Sequence, residues 1–462
     1  MNNNIRKKMT SVLVLIIIMF LSIALYITYF QVAKAKFYAN HVDNSRNIVD
    51  ENKVLRGTIR DRLGNTLTYT DRYEDGSSKR INNYNYLYSH IIGYSSKEYG
   101  KTGIERYFNK ELLNVPSSED LISRIEDAYE SKDRGKDIYL TVDSDLQSYL
   151  YQLMSNFNGA AVVINPQTGD ILGMMSMPTF NINTFEEDWN YLTSDDSNAI
   201  LINRATQGIY VPGSIFKVIT SIALLENDVD LSYEDMGSTT IDGYTINNYK
   251  DRSYGEIDLR KALVKSSNVY FADKAKELTN RELLAVTDRL MLGKEYEFDI
   301  GKNRALIPYK NNLDELEKSV VAFGQGETLV SPLDMANVIA AIANDGVMMK
   351  PRLVNKLSND DTIIEIEPSV LSKVTSDDIV EKMQEYLTDT ASENGVKLSD
   401  GRLLAGKSGT AEVDDTTHSW YVGYGPSENP KYAIAVVLEY SGMTGNEGAG
   451  QIFKEIMEYL EN

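Results

Sequence analysis

The hydrophobic pattern of the chain begins with one unbroken apolar run. Residues Val12 to Phe30 read VLVLIIIMFLSIALYITYF, with no charge among them. About 19 residues at ~1.5 Å rise span about 28 Å, close to the hydrocarbon thickness of a bilayer. Arg6, Lys7 and Lys8 precede the run, which places its start on the cytoplasmic side. Tyr26, Tyr29 and Phe30 crowd the far end, where aromatic rings favour the interface. A cleaved signal peptide has a shorter apolar core and ends in small residues. This run ends in Tyr, Phe and Gln, which predicts a retained anchor. The expected order is a cytoplasmic tail (1–9), a transmembrane helix (10–31) and an extracytoplasmic remainder. No later stretch is long and apolar enough to span.

Beyond the anchor the pattern has two textures. Residues 32–136 are polar and mixed. Short β-like runs such as Asn65–Tyr69 alternate with turn signals at Arg62-Leu63-Gly64-Asn65 and Asp75-Gly76. This reads as a smaller membrane-proximal domain. From Asp137 the apolar runs lengthen. DIYLTV starts a strand and Asp143–Asn156 has helical spacing. GAAVVINPQTGDILGMMSMP reads as two strands joined by a turn. Phe216–Asn227 and Pro332–Asn344 are apolar helices, SWYVGYG and YAIAVVLEY are strands, and Gly450–Leu460 is an amphipathic helix. The second domain, 137–462, is therefore α+β. No internal repeat or low-complexity stretch interrupts it.

Composition narrows the chemistry. The chain has 462 residues, with 47 Lys and Arg against 67 Asp and Glu, a net charge of −20. Nucleic-acid binding needs clustered cations against phosphates, so no nucleic-acid partner is expected. Cys is absent, which removes disulfides, thiol catalysis and thiolate metal sites. The His are only three (His41, His90, His418), so no metal centre and no cofactor is expected.

One motif carries nucleophilic chemistry. In Val211-Pro212-Gly213-Ser214-Ile215-Phe216-Lys217, Ser214 opens a helix and Lys217 follows three residues later on the same face. A Ser hydroxyl becomes a nucleophile when a neighbouring base takes its proton, and a desolvated Lys is such a base. Ser-x-x-Lys fixes only two positions and is weak alone. Its companions in acyl-serine enzymes are Ser-x-Asn and Lys-[Ser/Thr]-Gly. Ser266-Ser267-Asn268 supplies the first and Lys407-Ser408-Gly409-Thr410 the second, with gaps of about 50 and 140 residues. Ser45-Arg46-Asn47 and Lys101-Thr102-Gly103 fit too, but both precede Ser214 and are rejected on chain order.

With these motifs in order, the chain resembles a class B penicillin-binding protein, a membrane-anchored peptidoglycan D,D-transpeptidase. NRATQGIYVPGSIFKVIT (203–220), FGQGETLVSPLDMANVIAAIANDGVMMKP (323–351) and HSWYVGYGP (418–426) resemble the catalytic domain of that family. LRGTIRDRLGNTL (55–67) and YSHIIGYSSKEYGKTGIERYFNKEL (88–112) resemble its membrane-proximal pedestal. The resemblance implies a β-lactamase-like serine acyltransferase domain (137–462), with an antiparallel sheet flanked by helices, above a dimerisation-like pedestal (32–136). It implies Ser214 as nucleophile and Lys217 as general base. Ser266 would lie in the proton relay, Asn268 would bind the substrate amide and position Lys217, and Lys407 would face the substrate carboxylate. Ser408, Gly409 and Thr410 would form the substrate-binding strand, with the N–H groups of Ser214 and Thr410 as the oxyanion hole. The implied substrate is the stem peptide, β-lactams would acylate the same serine, and the implied partner is a membrane glycan polymerase of the shape, elongation, division and sporulation family. Ser408 stands where Thr is commoner. Three other functions use the same fold: a D,D-carboxypeptidase, a β-lactam hydrolase, and a non-catalytic scaffold of a cell-wall complex.

Other prominent residues have plainer readings. His418 could suggest a Ser-His-Asp triad, but no Gly-x-Ser-x-Gly elbow accompanies it, so it reads as structural. Trp420 and Tyr421 read as sheet core. Arg56, Asp61 and Arg62 read as one buried pedestal ion network. Gly324 and Gly326 read as backbone-conformation residues.

Overall fold

The structure is a computed structural model and describes residues 3–30, 54–74, 77–114, 134–359 and 362–462. His41, Ser45-Arg46-Asn47 and the Asp75-Gly76 turn lie outside the described residues. The N-terminal run forms one helix, Asn3–Tyr29, and none of its apolar stretch is buried against protein. Val12, Phe20 and Leu25 all stand open. An apolar surface on every side is what a helix presents to lipid.

A six-stranded sheet carries the membrane-proximal part. Its order is Ile363–Glu365, Val354–Ser358, Asp137–Leu140, Ile59–Arg60, Thr66–Arg72, Ser78–Asn82. Ile59–Arg60 runs parallel to Asp137–Leu140; the other pairs are antiparallel. Asp137–Leu140, which opens the stretch read as the second domain, is thus an inner strand of this sheet. Two strands from residues 354–365 complete it. Period-2 alternation reports that a strand exists but not which sheet it joins.

Beside this sheet a charged cluster is buried. Arg56 donates through Nε to Glu105 Oε2 at 2.5 Å, and Arg80 donates through Nε to Glu105 Oε1 at 2.8 Å. Arg56 also reaches Asn109 Oδ1 and the Glu105 carbonyl, both at 2.6 Å. Burial raises the Glu105 pKa, but the two guanidiniums outweigh it and hold the carboxyl below its ordinary 4.5. The network expected among Arg56, Asp61 and Arg62 takes a different form. Asp61 caps its own turn through the N–H groups of Leu63 and Asn65 and accepts from Ser144 Oγ. Arg62 is half-exposed and faces Asp143 at 3.9 Å. Arg56 precedes the strand Ile59–Arg60 whereas Asp61 and Arg62 follow it in the turn, so their side chains meet different surroundings.

The second sheet holds the larger core. Strands β1 (Gly159–Ile164), β2 (Ile171–Met177), β3 (Ala405–Val413), β4 (Thr416–Gly425) and β5 (Tyr432–Leu438) are antiparallel in the order β3-β4-β5-β1-β2. Helices α1 (Ser144–Met154), α2 (Lys217–Glu226), α3 (Asn268–Lys274), α4 (Pro332–Ala343) and α5 (Ala449–Glu461) are the ones that matter for the site. Successive side chains of a strand point to opposite faces. Ala160, Val162, Trp420, Val422, Ala433 and Ala435 therefore join the core that contains α4. Ala161, Val163, Tyr421, Ile434 and Val436 join the core of α1 and α5. Both faces are covered, which is why β1 and β5 read as continuous apolar runs. Helix α4 is buried along its whole length and opens with a capping box between Ser331 and Asp334.

Glu105→Gln leaves two buried guanidiniums without their counter-charge. The expected cost is about 3–5 kcal/mol at pH 7, read from the urea midpoint. Because the folded pKa of Glu105 is depressed, its contribution is full above about 4.5 and is lost as pH falls below that value. The difference between Glu105→Gln and the parent should therefore shrink on acidification. A constant difference down to pH 3 would show that the pairing contributes nothing.

Candidate active site

Ser214 lies in a tight turn that precedes the regular helix. Gly213–Phe216 is one 3-10 turn that runs directly into α2 at Lys217. With three residues per turn, side chains at i and i+3 eclipse, so Ser214 stands directly over Lys217. Backbone contacts fix the turn from below. The Gly213 N–H donates to the Gly324 carbonyl at 2.8 Å. Gly213 has φ +57°, and a Cβ on Gly324 would meet the Gly213 oxygen at 1.9 Å. Both positions exclude any side chain.

Lys217 is the centre of the site. Its Nζ lies 3.0 Å from Ser214 Oγ, 2.8 Å from the Ser266 carbonyl, 3.2 Å from Ser266 Oγ and 2.7 Å from Asn268 Oδ1. The side chain is fully buried, with the Phe271 ring 5.7 Å from the nitrogen. Burial, and after it the nearby Lys407 charge, push the amine well below the ordinary Lys range. A neutral amine has two N–H groups and one lone pair. The Ser266 carbonyl and the Asn268 amide oxygen have no hydrogen to give, and they are the two shortest contacts. They take both N–H groups, which leaves the lone pair for a hydroxyl. Ser214 Oγ is the nearer of the two. The Asn268 amide orientation follows from its other end, where Nδ2 donates to the Asn247 carbonyl at 3.1 Å.

Ser266 occupies the left-handed region, with φ +58°, where it ends the helix Leu259–Lys265. A non-glycine residue there stores about 1–3 kcal/mol. The conformation turns the Ser266 carbonyl towards Lys217. Lys407 approaches the same hydroxyl from β3, with Nζ 3.0 Å from Ser266 Oγ and 3.0 Å from the Ser408 carbonyl. Burial lowers its pKa to about 7. Ser266 Oγ thus lies between two amines, and like charge this close disfavours protonating both.

The rest of β3 frames the nucleophile. Gly409 packs beneath it, since a Cβ there would lie 2.9 Å from the Pro212 carbonyl and 3.0 Å from Ile215 Cγ2. Thr410 turns its carbonyl towards Gly213. In an antiparallel ladder the N–H and C=O of one residue point the same way, so the Thr410 N–H faces the site as well. Thr410 Oγ1 accepts from the Gly445 N–H at 3.0 Å, and Ser408 is half-buried. Ser-x-Asn also occurs at Ser392-Glu393-Asn394 and Ser427-Glu428-Asn429, but the hydrogen bonds of Lys217 go to Ser266 and Asn268. Lys101-Thr102-Gly103 opens a short helix near the membrane-proximal sheet. His418 Nδ1 accepts from the Tyr440 N–H at 3.0 Å, and its ring lies edge-on to Tyr210 and Tyr440. Trp420 donates through Nε1 to the Val211 carbonyl at 3.1 Å, which ties the sheet to the nucleophile turn. Motif reading missed Asp235, Asn248 and Gly445. Asp235 and Asn248 stand beneath the Ser-x-Asn turn, and Gly445 stands beside Thr410. In the sequence they look like ordinary turn residues.

Comparison with known proteins agrees with this geometry. Residues 159–458 match the penicillin binding protein transpeptidase domain. The chain belongs to the penicillin-binding protein transpeptidase family. Residues 56–138 match the penicillin binding protein A dimerisation domain. The peptidoglycan D,D-transpeptidase PbpA of Mycolicibacterium smegmatis is 27% identical over 96% of this chain and 94% of its own length. The peptidoglycan D,D-transpeptidase MrdA of Haemophilus influenzae is 27% identical over 79% of this chain, and the match spans 63% of that protein. Among solved structures, penicillin-binding protein A of Mycobacterium tuberculosis as an imipenem acyl-enzyme complex superposes with a TM-score of 0.81. It has 25% identity and covers 90% of this chain and 100% of that one. A D,D-transpeptidase domain from Eggerthella lenta gives a TM-score of 0.80 at 28% identity, covering 88% of this chain and 99% of that one. The transpeptidase match contains every residue of the cluster around Lys217.

For this penicillin-binding protein the two amines make a pH prediction. A Lys217 that takes the Ser214 proton must be neutral, so on that role acylation by a fluorescent penicillin should fall as pH drops through the depressed Lys217 pKa. Lys407→Gln removes the cation that helps depress it, so the acid limb of the rate profile should move to higher pH. An acid limb that stays in place would sever Lys407 from the proton balance of Lys217.

Proposed function

We propose that the protein is a membrane-anchored peptidoglycan D,D-transpeptidase that crosslinks stem peptides through an acyl-serine. The observation that carries the reading is the buried Lys217 amine 3.0 Å from Ser214 Oγ. In this reading the Ser214 hydroxyl proton passes to Lys217 Nζ as Oγ bonds the carbonyl carbon of the penultimate D-Ala. The N–H groups of Ser214 and Thr410 receive the developing oxyanion. The C–N bond breaks and the proton leaves with the terminal D-Ala amine, relayed past Ser266 Oγ. An amine of a neighbouring stem peptide then attacks the ester carbon and gives its proton to Lys217. The C–O bond breaks and Ser214 recovers a proton. Lys407 faces the substrate carboxylate, Ser408 and the β3 backbone at Gly409 and Thr410 align the peptide as an added strand, and Asn268 holds both Lys217 and the substrate amide. β-Lactams would follow the first half of this path.

Transfer to an amine is favoured over rapid hydrolysis by the composition of the site. Among the described residues, no Asp or Glu hydrogen-bonds Ser214, Lys217, Ser266, Asn268 or Lys407. A carboxylate able to activate a deacylating water is therefore missing from this shell. The apolar helix acts as a retained anchor with the N-terminus cytoplasmic, dividing the chain into tail (1–9), transmembrane helix (10–31), pedestal (32–136) and transpeptidase domain (137–462). The pedestal and the anchor are the surfaces offered to a membrane glycan polymerase of the shape, elongation, division and sporulation family.

The test is intact-protein mass spectrometry of the detergent-solubilised full chain after incubation with penicillin, followed by peptide mapping. A long-lived adduct on Ser214, absent in Ser214→Ala, is expected. Rapid turnover of the adduct would make the protein a hydrolase. A folded protein that forms no adduct would overturn the penicillin-reactive assignment. Ser214→Ala should still co-purify with the polymerase.

A further inference from the structure

Beneath the Ser-x-Asn turn lies a buried polar clasp that the reaction scheme does not use. Asp235 is fully buried. Its carboxylate accepts from Ser267 Oγ at 2.5 Å, from Asn248 Nδ2 at 2.8 and 2.9 Å, and from the Gly237 N–H at 2.8 Å. Among the described residues no Lys, Arg or His pairs with it. A carboxylate buried without a cation is costly unless fixed donors fill its lone pairs. Here neutral donors do so, and each belongs to a segment that shapes the turn.

The clasp reaches Lys217 through two short routes. Ser267 is the middle residue of Ser266-Ser267-Asn268. While its hydroxyl donates to Asp235, the same oxygen accepts from the Tyr270 N–H at 2.9 Å and caps α3. Asn248 adds a second cap, its Oδ1 accepting from the Val269 N–H at 3.1 Å. The neighbouring Asn247 carbonyl sets the Asn268 amide. Pinning Ser267 on one side and the start of α3 on the other leaves the left-handed Ser266 little freedom. The Ser266 carbonyl and Asn268 Oδ1, the two acceptors that claim the Lys217 N–H groups, are thereby fixed.

We propose that Asp235, acting through Ser267 and Asn248, is a positioning residue for the general base: it holds the two obligate acceptors that aim the Lys217 lone pair at Ser214. The inference rests on the acyl-serine reading above. It assigns Asp235 no contact with substrate. The charged group acting on Lys217 from the opposite side is Lys407 on β3.

The test uses the full chain in detergent, with Asp235→Asn and Ser267→Ala. Asp235→Asn keeps the volume but presents a donor to a cluster of donors. Ser267→Ala cuts the link and leaves the carboxylate in place. The measurements are the first-order acylation constant with fluorescent penicillin, the concentration at half-saturation, the pH profile, and the thermal midpoint of the same samples. Misplacing a catalytic group by about 1 Å costs up to about 100-fold, so acylation should fall about 10- to 100-fold. Half-saturation should change little, and the acid limb should move to higher pH as water reaches Lys217. A structural role alone would lower the midpoint and leave the acid limb and the rate per folded molecule at parental values. That result in either folded variant overturns the proposal; if Asp235→Asn does not fold, Ser267→Ala decides alone. Parental acylation at Ser214 is the control. Without it the acyl-serine reading itself fails, and with it an unchanged variant refutes only the clasp.

Discussion

Burying one amine is the constraint around which this structure is arranged. An amine in water near neutrality holds its proton and cannot accept another. Lys217 is pushed away from that state because the fold buries it completely and sets the Lys407 amine nearby. The arrangement opposes stability. Between the folded pKa and the ordinary value of 10.5 the unfolded chain binds a proton that the folded chain refuses, so stability falls as pH falls through that window. The large core around α4 offsets this cost. It also gives the site its rigidity, since a base that drifted would admit water and recover its proton.

The same constraint explains where the backbone departs from regular geometry. A 3-10 turn at Gly213–Phe216 aligns Ser214 with Lys217, where a regular α-helix would leave them about 60° apart. The left-handed Ser266 turns a carbonyl towards an amine that needs one. Gly213, Gly324 and Gly409 allow three chain segments to pass at van der Waals limits. Such departures persist where surrounding structure over-determines them. Trp420 reaching the Val211 carbonyl and Gly445 reaching Thr410 are parts of that surround. The frame so held is the crossing of the Ser214 turn, the Ser-x-Asn turn and β3.

Much of this was legible in the sequence because the decisive residues sit in short, ordered motifs. Those motifs hold Ser214, Lys217, Ser266, Asn268 and Lys407, which hydrogen bonds through Lys217 and Ser266 join in one cluster. The apolar runs of β1, β2 and β5 and the mostly apolar α4 were visible as strands and a helix, and the family resemblance implied a sheet flanked by helices. Less legible was whatever depends on long-range pairing. Nothing in VNKLS (354–358) says that it joins a sheet begun almost 300 residues earlier. Asp235 ends a short strand and Asn248 stands at the N-cap of a 3-10 turn, and neither carries a motif that marks it. Arg56, Asp61 and Arg62 are close in sequence, yet their partners are set by Glu105, Ser144 and Asp143. Spacing identifies which residues share a face, and tertiary packing decides what lies across from it.

The two lysines also show why one cationic residue would not suffice. A group that recognises a carboxylate must carry charge, and a group that accepts a proton must not. Placed on one nitrogen, these demands conflict at every pH. In the proposed reaction they are divided between Lys217 and Lys407, and a charge on Lys407 lowers the Lys217 pKa. Ser266 Oγ, 3.2 Å from one amine and 3.0 Å from the other, lets a proton exchange between them without either leaving its place. That coupling also bears on what happens after acylation. In the proposed reaction Lys217, once it has passed its proton on, can take another from a second nucleophile. Among the described residues no carboxylate hydrogen-bonds this group, so in the proposed reaction a bound amine, which brings its own lone pair, would have the advantage over a solvent molecule that must first be deprotonated.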